Sequence, residues 1–170
     1  MPENEKGFFA YLDIETTGLS PLHGYITVVG IHMEDGDEER TVQLVEREIT
    51  SEKLLKVLDG VEILYTYNGA RFDLPFIREK LGIDLSEKFQ HKDLMFECWS
   101  RNLFGGLKAV EQKLGIPRSS TGISGLMAVE LWRLYKQYDD KWALDTLLKY
   151  NREDVINLKT VREKLGEIEI

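Results

Sequence analysis

Stretches rich in β-branched and aromatic residues alternate with turn-forming stretches at the start of the chain. The apolar stretches favour strands, and short polar turns between consecutive strands favour antiparallel pairing. The turns fall at residues 19–24 and 35–37. The pattern therefore predicts an antiparallel meander with strands at residues 8–14, 25–33 and 40–45.

A helix and a further strand are predicted next. Thr50 is a typical helix N-cap, Leu54 and Leu58 lie one helical turn apart, and Gly60 is a typical residue at a helix end. Residues 61–67 then favour a strand again. Because a strand that follows a crossover helix usually pairs in parallel, we expect the sheet to continue with a parallel addition.

Helical patterns dominate the remainder of the chain. An apolar stripe between Asn68 and Gly82 predicts a second helix, and residues 88–91 favour a short fifth strand. Further helices are predicted at residues 94–100, 107–114, 126–138 and 142–165. The predicted class is α/β, with a mixed five-stranded sheet of three antiparallel strands and later parallel additions, flanked by helices.

Composition narrows the class of protein. With 170 residues, 42% hydrophobic and 31% charged, the chain has the composition of one globular domain, which we place at residues 1–170. No apolar run approaches the length of a membrane span, and residues 1–7 lack the pattern of a signal peptide. A cytoplasmic location without membrane contact is therefore expected. Cys98 is the only cysteine, which excludes an internal disulfide and a cysteine-rich zinc site.

Four acidic residues in three segments are the candidate chemistry. Asp13 and Glu15 end the first predicted strand, where the alternation of side chains places both on one face. Asp73 begins a predicted helix, and Asp154 follows Tyr150 by one helical turn. Taken singly, each segment has an ordinary structural interpretation, such as surface charge, a charge that favours the helix dipole, or a core tyrosine beside a solvated aspartate.

Together, the segments favour one metal site. Clustered carboxylates repel each other and shift each other's pKa unless cations neutralise them. The order of the segments, at a strand end, a helix start and a helix interior, is what a two-metal phosphodiester-cleaving site requires. The net charge of −8 argues against a broad grip on nucleic acid, so contacts with a substrate are expected to be local.

These segments resemble the three exonuclease motifs of the DEDD (DnaQ-like) superfamily, which has a ribonuclease-H-like fold and 3′→5′ exonuclease activity. The third segment has a tyrosine, Tyr150, in place of a histidine, and in this it resembles the DEDDy branch of that superfamily. The second segment, residues 66–76, resembles the proofreading domain of family B DNA polymerases. The whole chain is similar to stand-alone YprB-type ribonuclease-H-like proteins.

The resemblance implies a role for each matching residue. Two Mg²⁺ or Mn²⁺ ions would be held by the carboxylates, and Tyr150 would orient the attacking water. Thr16 and Thr17 would contact the sugar of the terminal nucleotide, and Leu19 would wedge against the base of that nucleotide. Asn68 and Phe72 would steady the neighbouring nucleotide. The implied metal ligands are Asp13, Glu15, Asp73 and Asp154.

One more substrate contact is expected from the residues themselves. Lys108 lies in the first turn of a predicted helix after Gly105 and Gly106, where free amides and a cation can bind a phosphate. A flexible loop that ends in a helix cap is an equally good interpretation of this segment.

The expected function is therefore a metal-dependent 3′→5′ exonuclease acting on single-stranded DNA or RNA ends, with DNA slightly favoured. Two alternatives are a non-catalytic nucleic-acid-binding or proofreading accessory module and an enzyme that cleaves free oligonucleotides or small nucleotides. Assembly as a homo-oligomer, or with a repair or replication partner, stays open.

Overall fold

Five strands form one mixed sheet in the computed structural model, which describes residues 7–168. The strands are β1 (Phe8–Thr16), β2 (Ile26–Asp35), β3 (Glu38–Val45), β4 (Ile63–Thr66) and β5 (Gln90–Asp93). Their spatial order is β3-β2-β1-β4-β5. The first three strands pair antiparallel, whereas β4 and β5 are added in parallel beside β1. This confirms the predicted fold class.

Seven α-helices flank the sheet within the described part of the chain. They are α1 (Ser51–Val57), α2 (Asp73–Leu81), α3 (Leu85–Lys88), α4 (Leu94–Ser100), α5 (Leu107–Leu114), α6 (Gly125–Tyr138) and α7 (Lys141–Glu167). The bounds of α4 and α5 are those predicted from the pattern of apolar residues. The ends of the predicted domain, at residues 1–6 and 169–170, lie outside the described residues, as does most of the segment considered for a signal peptide.

One element was placed wrongly by the sequence pattern. Lys88 belongs to the short helix α3 and not to a strand, and β5 begins two residues later at Gln90. Asp84 is the cause, because its side chain accepts a hydrogen bond from the Ser86 amide and starts a helical turn. Buried Leu85 anchors that turn to the core.

The central strand β1 separates two packed layers. Leu12 and Ile14 face the core that contains α1 and α2, whereas Phe9 and Tyr11 face the core beneath α4, α5 and α7. Asp13 follows the same alternation as Tyr11, and its side chain therefore lies on the α7 face of the sheet.

The long helix α7 covers that face. Its start is capped by Asp140, whose side chain accepts a hydrogen bond from the Ala143 amide at 3.1 Å. Buried residues recur along α7 at helical spacing, and Tyr150 and Asp154 belong to this buried stripe. No helix in residues 7–168 combines the length and apolar character needed to cross a membrane.

Candidate active site

Three carboxylates converge between the end of β1 and the middle of α7. Asp13, Glu15 and Asp154 each offer an oxygen atom, and these atoms all lie within 4.8 Å of one another. Glu15 and Asp154 are only 8% and 6% exposed. Oxygen donors are the ligands that Mg²⁺ and Mn²⁺ prefer, so this donor set fits a divalent cation.

Asp73 lies beside this group as the first residue of α2. Its Oδ1 accepts a hydrogen bond from the backbone amide of Ile14 at 3.0 Å, which ties α2 to β1 between Asp13 and Glu15. The side chain is buried. Asp73 is not one of these three converging carboxylates. Its negative charge nevertheless helps to raise the pKa of Asp13 and of Glu15, although burial is the largest cause of both shifts.

Burial and mutual repulsion make the ionised cluster unfavourable without cations. Burial raises the pKa of Asp13 and Glu15 well above the usual range, and the charge of Asp154 is the next cause. Burial also raises the pKa of Asp73 to about 7. The pKa of Asp154 rises to about 6 through burial, although Arg118 acts in the opposite direction. A bound cation would relieve both effects.

Arg118 is a site residue that the sequence did not reveal. Its Nη2 donates hydrogen bonds to Oδ1 of Asp154 at 2.5 Å and to Oε1 of Glu111 at 2.6 Å. Its Nε donates to the other Glu111 oxygen at 2.8 Å. The side chains of Arg118, Glu111 and Asp154 are 8%, 2% and 9% exposed, so this is a buried ion-pair triad.

A signal for this triad was present in the sequence only indirectly. Glu111 occupies an inward position of the amphipathic helix α5, and a buried glutamate needs a partner. The partner, Arg118, lies in the connection to α6, and nothing in its local sequence shows which carboxylate it will reach.

Tyr150 is held by a lysine at the cluster. Lys108 Nζ donates a hydrogen bond to the Tyr150 hydroxyl at 2.6 Å and lies 4.4 Å from the centre of its ring. Burial raises the pKa of Tyr150, and the negative charges of Asp154 and Glu15 add to this, so the phenol keeps its proton at neutral pH. Because Lys108 is the donor, the hydroxyl proton is directed to another acceptor.

These residues line one open cleft of about 640 Å³. Asp13, Tyr150 and Asp154 lie at its acidic end, together with Lys108. The loop before α5 borders the cleft, where the Tyr67 hydroxyl donates a hydrogen bond to the Gly105 carbonyl at 2.6 Å. The remaining lining residues are Tyr67, Asn68, Met95, Trp99, Gly105, Gly106, Leu107, Ala109 and Gly125.

The end of β1 and the loop after it hold the residues predicted to contact the terminal nucleotide. The Thr16 hydroxyl donates its proton to the Gly18 carbonyl at 2.7 Å, and the Thr17 hydroxyl accepts a hydrogen bond from the Tyr25 amide at 3.0 Å. Leu19 is 85% exposed, which leaves its side chain accessible to a ligand. The Thr16 hydroxyl therefore already uses its proton in the hydrogen bond to Gly18. The Thr17 hydroxyl acts as an acceptor in its hydrogen bond to Tyr25 and does not use its proton there.

Asn68 and Phe72 differ in their accessibility to the cleft. Asn68 lines it and adopts a left-handed backbone conformation with φ of 60°. The backbone amide of Asn68 donates a hydrogen bond to Oδ1 of Asp93 at 2.8 Å, which fixes this turn. Phe72 is partly buried and packs against Phe76, with ring centres 5.5 Å apart. Phe72 is not among the residues that line the cleft.

Comparison with known proteins identifies the family. A family model described as the RNase_H superfamily matches residues 10–166, and the chain therefore belongs to that superfamily. No curated protein matches the sequence.

Solved structures of similar fold cover nearly the whole chain. A family B DNA polymerase from the hyperthermophilic archaeon Pyrobaculum calidifontis has a TM-score of 0.72 at 19% identity, over 94% of this chain and 24% of the polymerase. NrnC from Brucella melitensis, solved with pGG, has a TM-score of 0.62 at 20% identity, over 98% of this chain and 76% of NrnC. The chain thus spans about a quarter of the polymerase, and at these identities the likeness concerns the fold.

Proposed function

We propose that this protein is a divalent-metal-dependent 3′→5′ exonuclease that acts on single-stranded nucleic-acid ends. The observation that carries the proposal is the convergence of Asp13, Glu15 and Asp154 within 4.8 Å of one another. Asp13 and Asp154 line a cleft that also contains Tyr150. A cluster of this kind is unfavourable for a protein that only needs to fold, because its carboxylates are buried and repel each other.

Each acidic residue has a proposed part in metal binding. Asp13, Glu15, Asp73 and Asp154 would hold two Mg²⁺ or Mn²⁺ ions, which would supply an activated water and neutralise charge during phosphodiester cleavage. Arg118 holds one oxygen of Asp154 and thereby limits rotation of that carboxylate.

Tyr150 would orient the attacking water. The phenol is protonated at neutral pH and already accepts a hydrogen bond from Lys108, so it can donate its proton to a water oxygen and fix its position. Lys108 also lies beside Gly105 and Gly106 in the cleft, where its charge would attract a substrate phosphate.

The proposed substrate is a single-stranded 3′ end, with DNA slightly favoured over RNA. The cleft is open enough to admit a flexible strand, and Trp99 and Asn68 on its wall offer a ring face and an amide to bases. Thr16, Thr17, Leu19 and Phe72 are further proposed contacts with the last nucleotides. The structural neighbour NrnC holds pGG, which is consistent with an oligonucleotide ligand here.

A second candidate function is nucleic-acid binding without cleavage. The observation that favours it is the Arg118 ion pair with Asp154, because a fixed guanidinium stabilises the carboxylate without a metal ion. In a binding module of this kind, Lys108 would bind a phosphate directly, Arg118 would keep Asp154 neutralised, and added metal would not strengthen binding.

A cleavage assay distinguishes the two functions. Single-stranded DNA and RNA, each labelled at the 5′ end, are incubated with the wild-type protein in Mg²⁺, in Mn²⁺ and in a chelator. We expect progressive shortening with a metal ion and none with the chelator. Binding of both polymers in the chelator, with no product under any condition, would establish the non-catalytic module and overturn the exonuclease.

A further inference from the structure

We infer that Asn151 is a positioning residue for the proposed metal ligand Asp13. In this inference Gly30 leaves the space that the Asn151 side chain occupies, and Gln43 holds that side chain by a hydrogen bond. The inference rests on the proposed function, because it assigns Asn151 to the orientation of a carboxylate that binds metal.

The first observation is a row of three residues across the sheet. Asp13 of β1 is opposite Gly30 of β2, and Gly30 is opposite Gln43 of β3. Side chains of residues directly opposite each other in a sheet lie on the same face. The row therefore runs from the sheet edge to the acidic cluster on the face that α7 covers.

The second observation is that Gly30, the middle residue of this row, has no side chain. A Cβ atom at Gly30 would lie only 2.2 Å from Oδ1 and 2.8 Å from Cγ of Asn151. These distances are far below any normal contact, so the Asn151 carboxamide occupies the space that another residue would fill. Gly30 is therefore explained by close approach of a side chain from α7.

The third observation is that the carboxamide bridges the two ends of the row. Asn151 Nδ2 donates to the backbone carbonyl and to Oδ2 of Asp13, both at 3.2 Å. Asn151 Oδ1 accepts from Gln43 Nε2 at 2.9 Å. Gln43 Nε2 is itself fixed, because it also donates to the Leu148 carbonyl at 2.8 Å.

These contacts hold both the backbone and the carboxylate of Asp13. Asn151 is 0% exposed, so a lost hydrogen bond would not be replaced by water without rearrangement. Asp13 is otherwise repelled by Glu15 and Asp154, and a free carboxylate would rotate away from them. The bridge opposes that rotation, which keeps Oδ1 and Oδ2 in the orientation that a metal ion needs.

Mn²⁺ affinity of the folded protein tests this inference. Dissociation constants are measured by the electron paramagnetic resonance of free Mn²⁺ for the wild type, Asn151→Leu, Gly30→Ala and Gln43→Leu. We expect about 10- to 100-fold weaker binding in Asn151→Leu, which is the range typical for loss of a partner behind a metal ligand. Gly30→Ala should weaken binding similarly by displacing Asn151, and Gln43→Leu should weaken it less.

Asn157→Leu is the matched control. Asn157 is a buried asparagine of the same helix whose Nδ2 has no hydrogen-bond partner within residues 7–168. Its replacement should leave Mn²⁺ affinity within about 2-fold of the wild type. If Asn151→Leu or Gly30→Ala does not fold, Gln43→Leu, at the partly exposed end of the row, still supplies the test.

The outcomes separate this inference from the proposed function. Unchanged Mn²⁺ affinity in the folded variants of the row, with only a lower melting temperature, would make Asn151 a structural residue and overturn the inference. Mn²⁺ binding by the wild type without cleavage would overturn the exonuclease alone. Absence of Mn²⁺ binding by the wild type would overturn both.

Discussion

Arg118 donates a hydrogen bond to Asp154 at 2.5 Å and joins it to Glu111 in a buried triad. The pair places a permanent positive charge at the edge of a cluster of carboxylates. Because this charge cannot be removed by deprotonation, it stabilises the ionised form of Asp154 whether or not metal is bound. The acidic site therefore contains its own partial counter-charge.

Arg118→Met should destabilise the protein strongly in the absence of metal. The substitution leaves Glu111 and Asp154 buried without a cation, which typically costs about 3–5 kcal/mol of the free energy of unfolding. Urea unfolding in a chelator measures the loss. Mn²⁺ should restore part of it, since the ion supplies positive charge to Asp154.

Arg133→Met is the control for this prediction. Arg133 pairs with Glu130 on the surface, and both side chains are about half exposed, at 52% and 54%. Exposed pairs contribute about 1 kcal/mol or less. Equal losses of stability in the two variants would contradict the view that Arg118 neutralises a buried cluster.

Asp13→Asn should abolish cleavage and stabilise the metal-free protein. The amide removes one negative charge from a cluster whose members raise each other's pKa, so the free energy of unfolding in a chelator should rise by roughly 1 kcal/mol. Cleavage should fall by at least about 100-fold, because a metal ligand is lost. Rates and urea unfolding are measured on the same preparations.

Asp35→Asn serves as the comparison for Asp13→Asn. Asp35 is an exposed carboxylate at the far end of the β1–β2 pair, opposite Phe8. Its replacement should change neither cleavage nor stability appreciably. A wild-type rate in Asp13→Asn would remove Asp13 from the site.

The stability of the metal-free protein should fall as pH rises from about 4 to 7. Burial raises the pKa of Asp73 to about 7 and that of Asp154 to about 6, compared with about 3.9 in an unfolded chain. The folded state therefore binds more protons than the unfolded state in this interval, and the free energy of unfolding decreases with pH until the folded groups have ionised. The expected decrease is on the order of a few kcal/mol.

Urea unfolding in a chelator at pH 5, 6, 7 and 8 measures this slope. Asp73→Asn should flatten it, because the amide does not titrate. Saturating Mg²⁺ or Mn²⁺ at pH 8 should restore the stability lost by ionisation. Stability that rises steadily over this range in the wild type would show that the carboxylates are not destabilised by burial.

Tyr150→Phe should reduce the rate at saturating metal and leave metal affinity unchanged. The substitution keeps the ring but removes the hydroxyl that accepts from Lys108 and is proposed to orient water. Loss of such a group typically lowers the rate by about 100-fold or more. Single-turnover cleavage with saturating Mn²⁺, together with Mn²⁺ binding, separates the two effects.

Tyr135→Phe is the matched change at a tyrosine outside the cleft. Tyr135 lies on α6 and packs against Trp132, with ring centres 5.4 Å apart. Its rate should equal that of the wild type. If Tyr150→Phe also cleaved at the wild-type rate, Tyr150 would be a packing residue and not part of the chemistry.

The sequence predicted the parts of this molecule that depend on local pattern. Alternation along β1 placed Leu12 and Ile14 on one face and Asp13 on the other, and helical spacing placed Tyr150 and Asp154 one turn apart on α7. The order of the elements favoured one site that contains Asp13 and Asp154, and the structure brings these two carboxylates together. The metal-binding roles of these residues stay predictions until they are measured.

The contacts that were missed depend on distant pairing. Gly30 is notable only because Asn151 approaches it from another element, and that approach requires the register of β2 and the seating of α7. Arg118 reaches Asp154 from a connecting loop without periodic pattern. The short helix α3 was missed because a single capped turn carries too few residues to show a period.

The most direct test of the central claim is the direction of cleavage by the wild-type protein. One single-stranded DNA is labelled at the 5′ end in one sample and at the 3′ end in another, and each is followed over time in Mn²⁺ with the Asp13→Asn protein in parallel. We predict that the 3′ label is released as a mononucleotide at the earliest times, while the 5′ label passes through a ladder of successively shorter strands, and that Asp13→Asn produces neither. Early release of the 5′ label, internal fragments from the start, or equal products from Asp13→Asn would contradict a 3′→5′ exonuclease centred on Asp13.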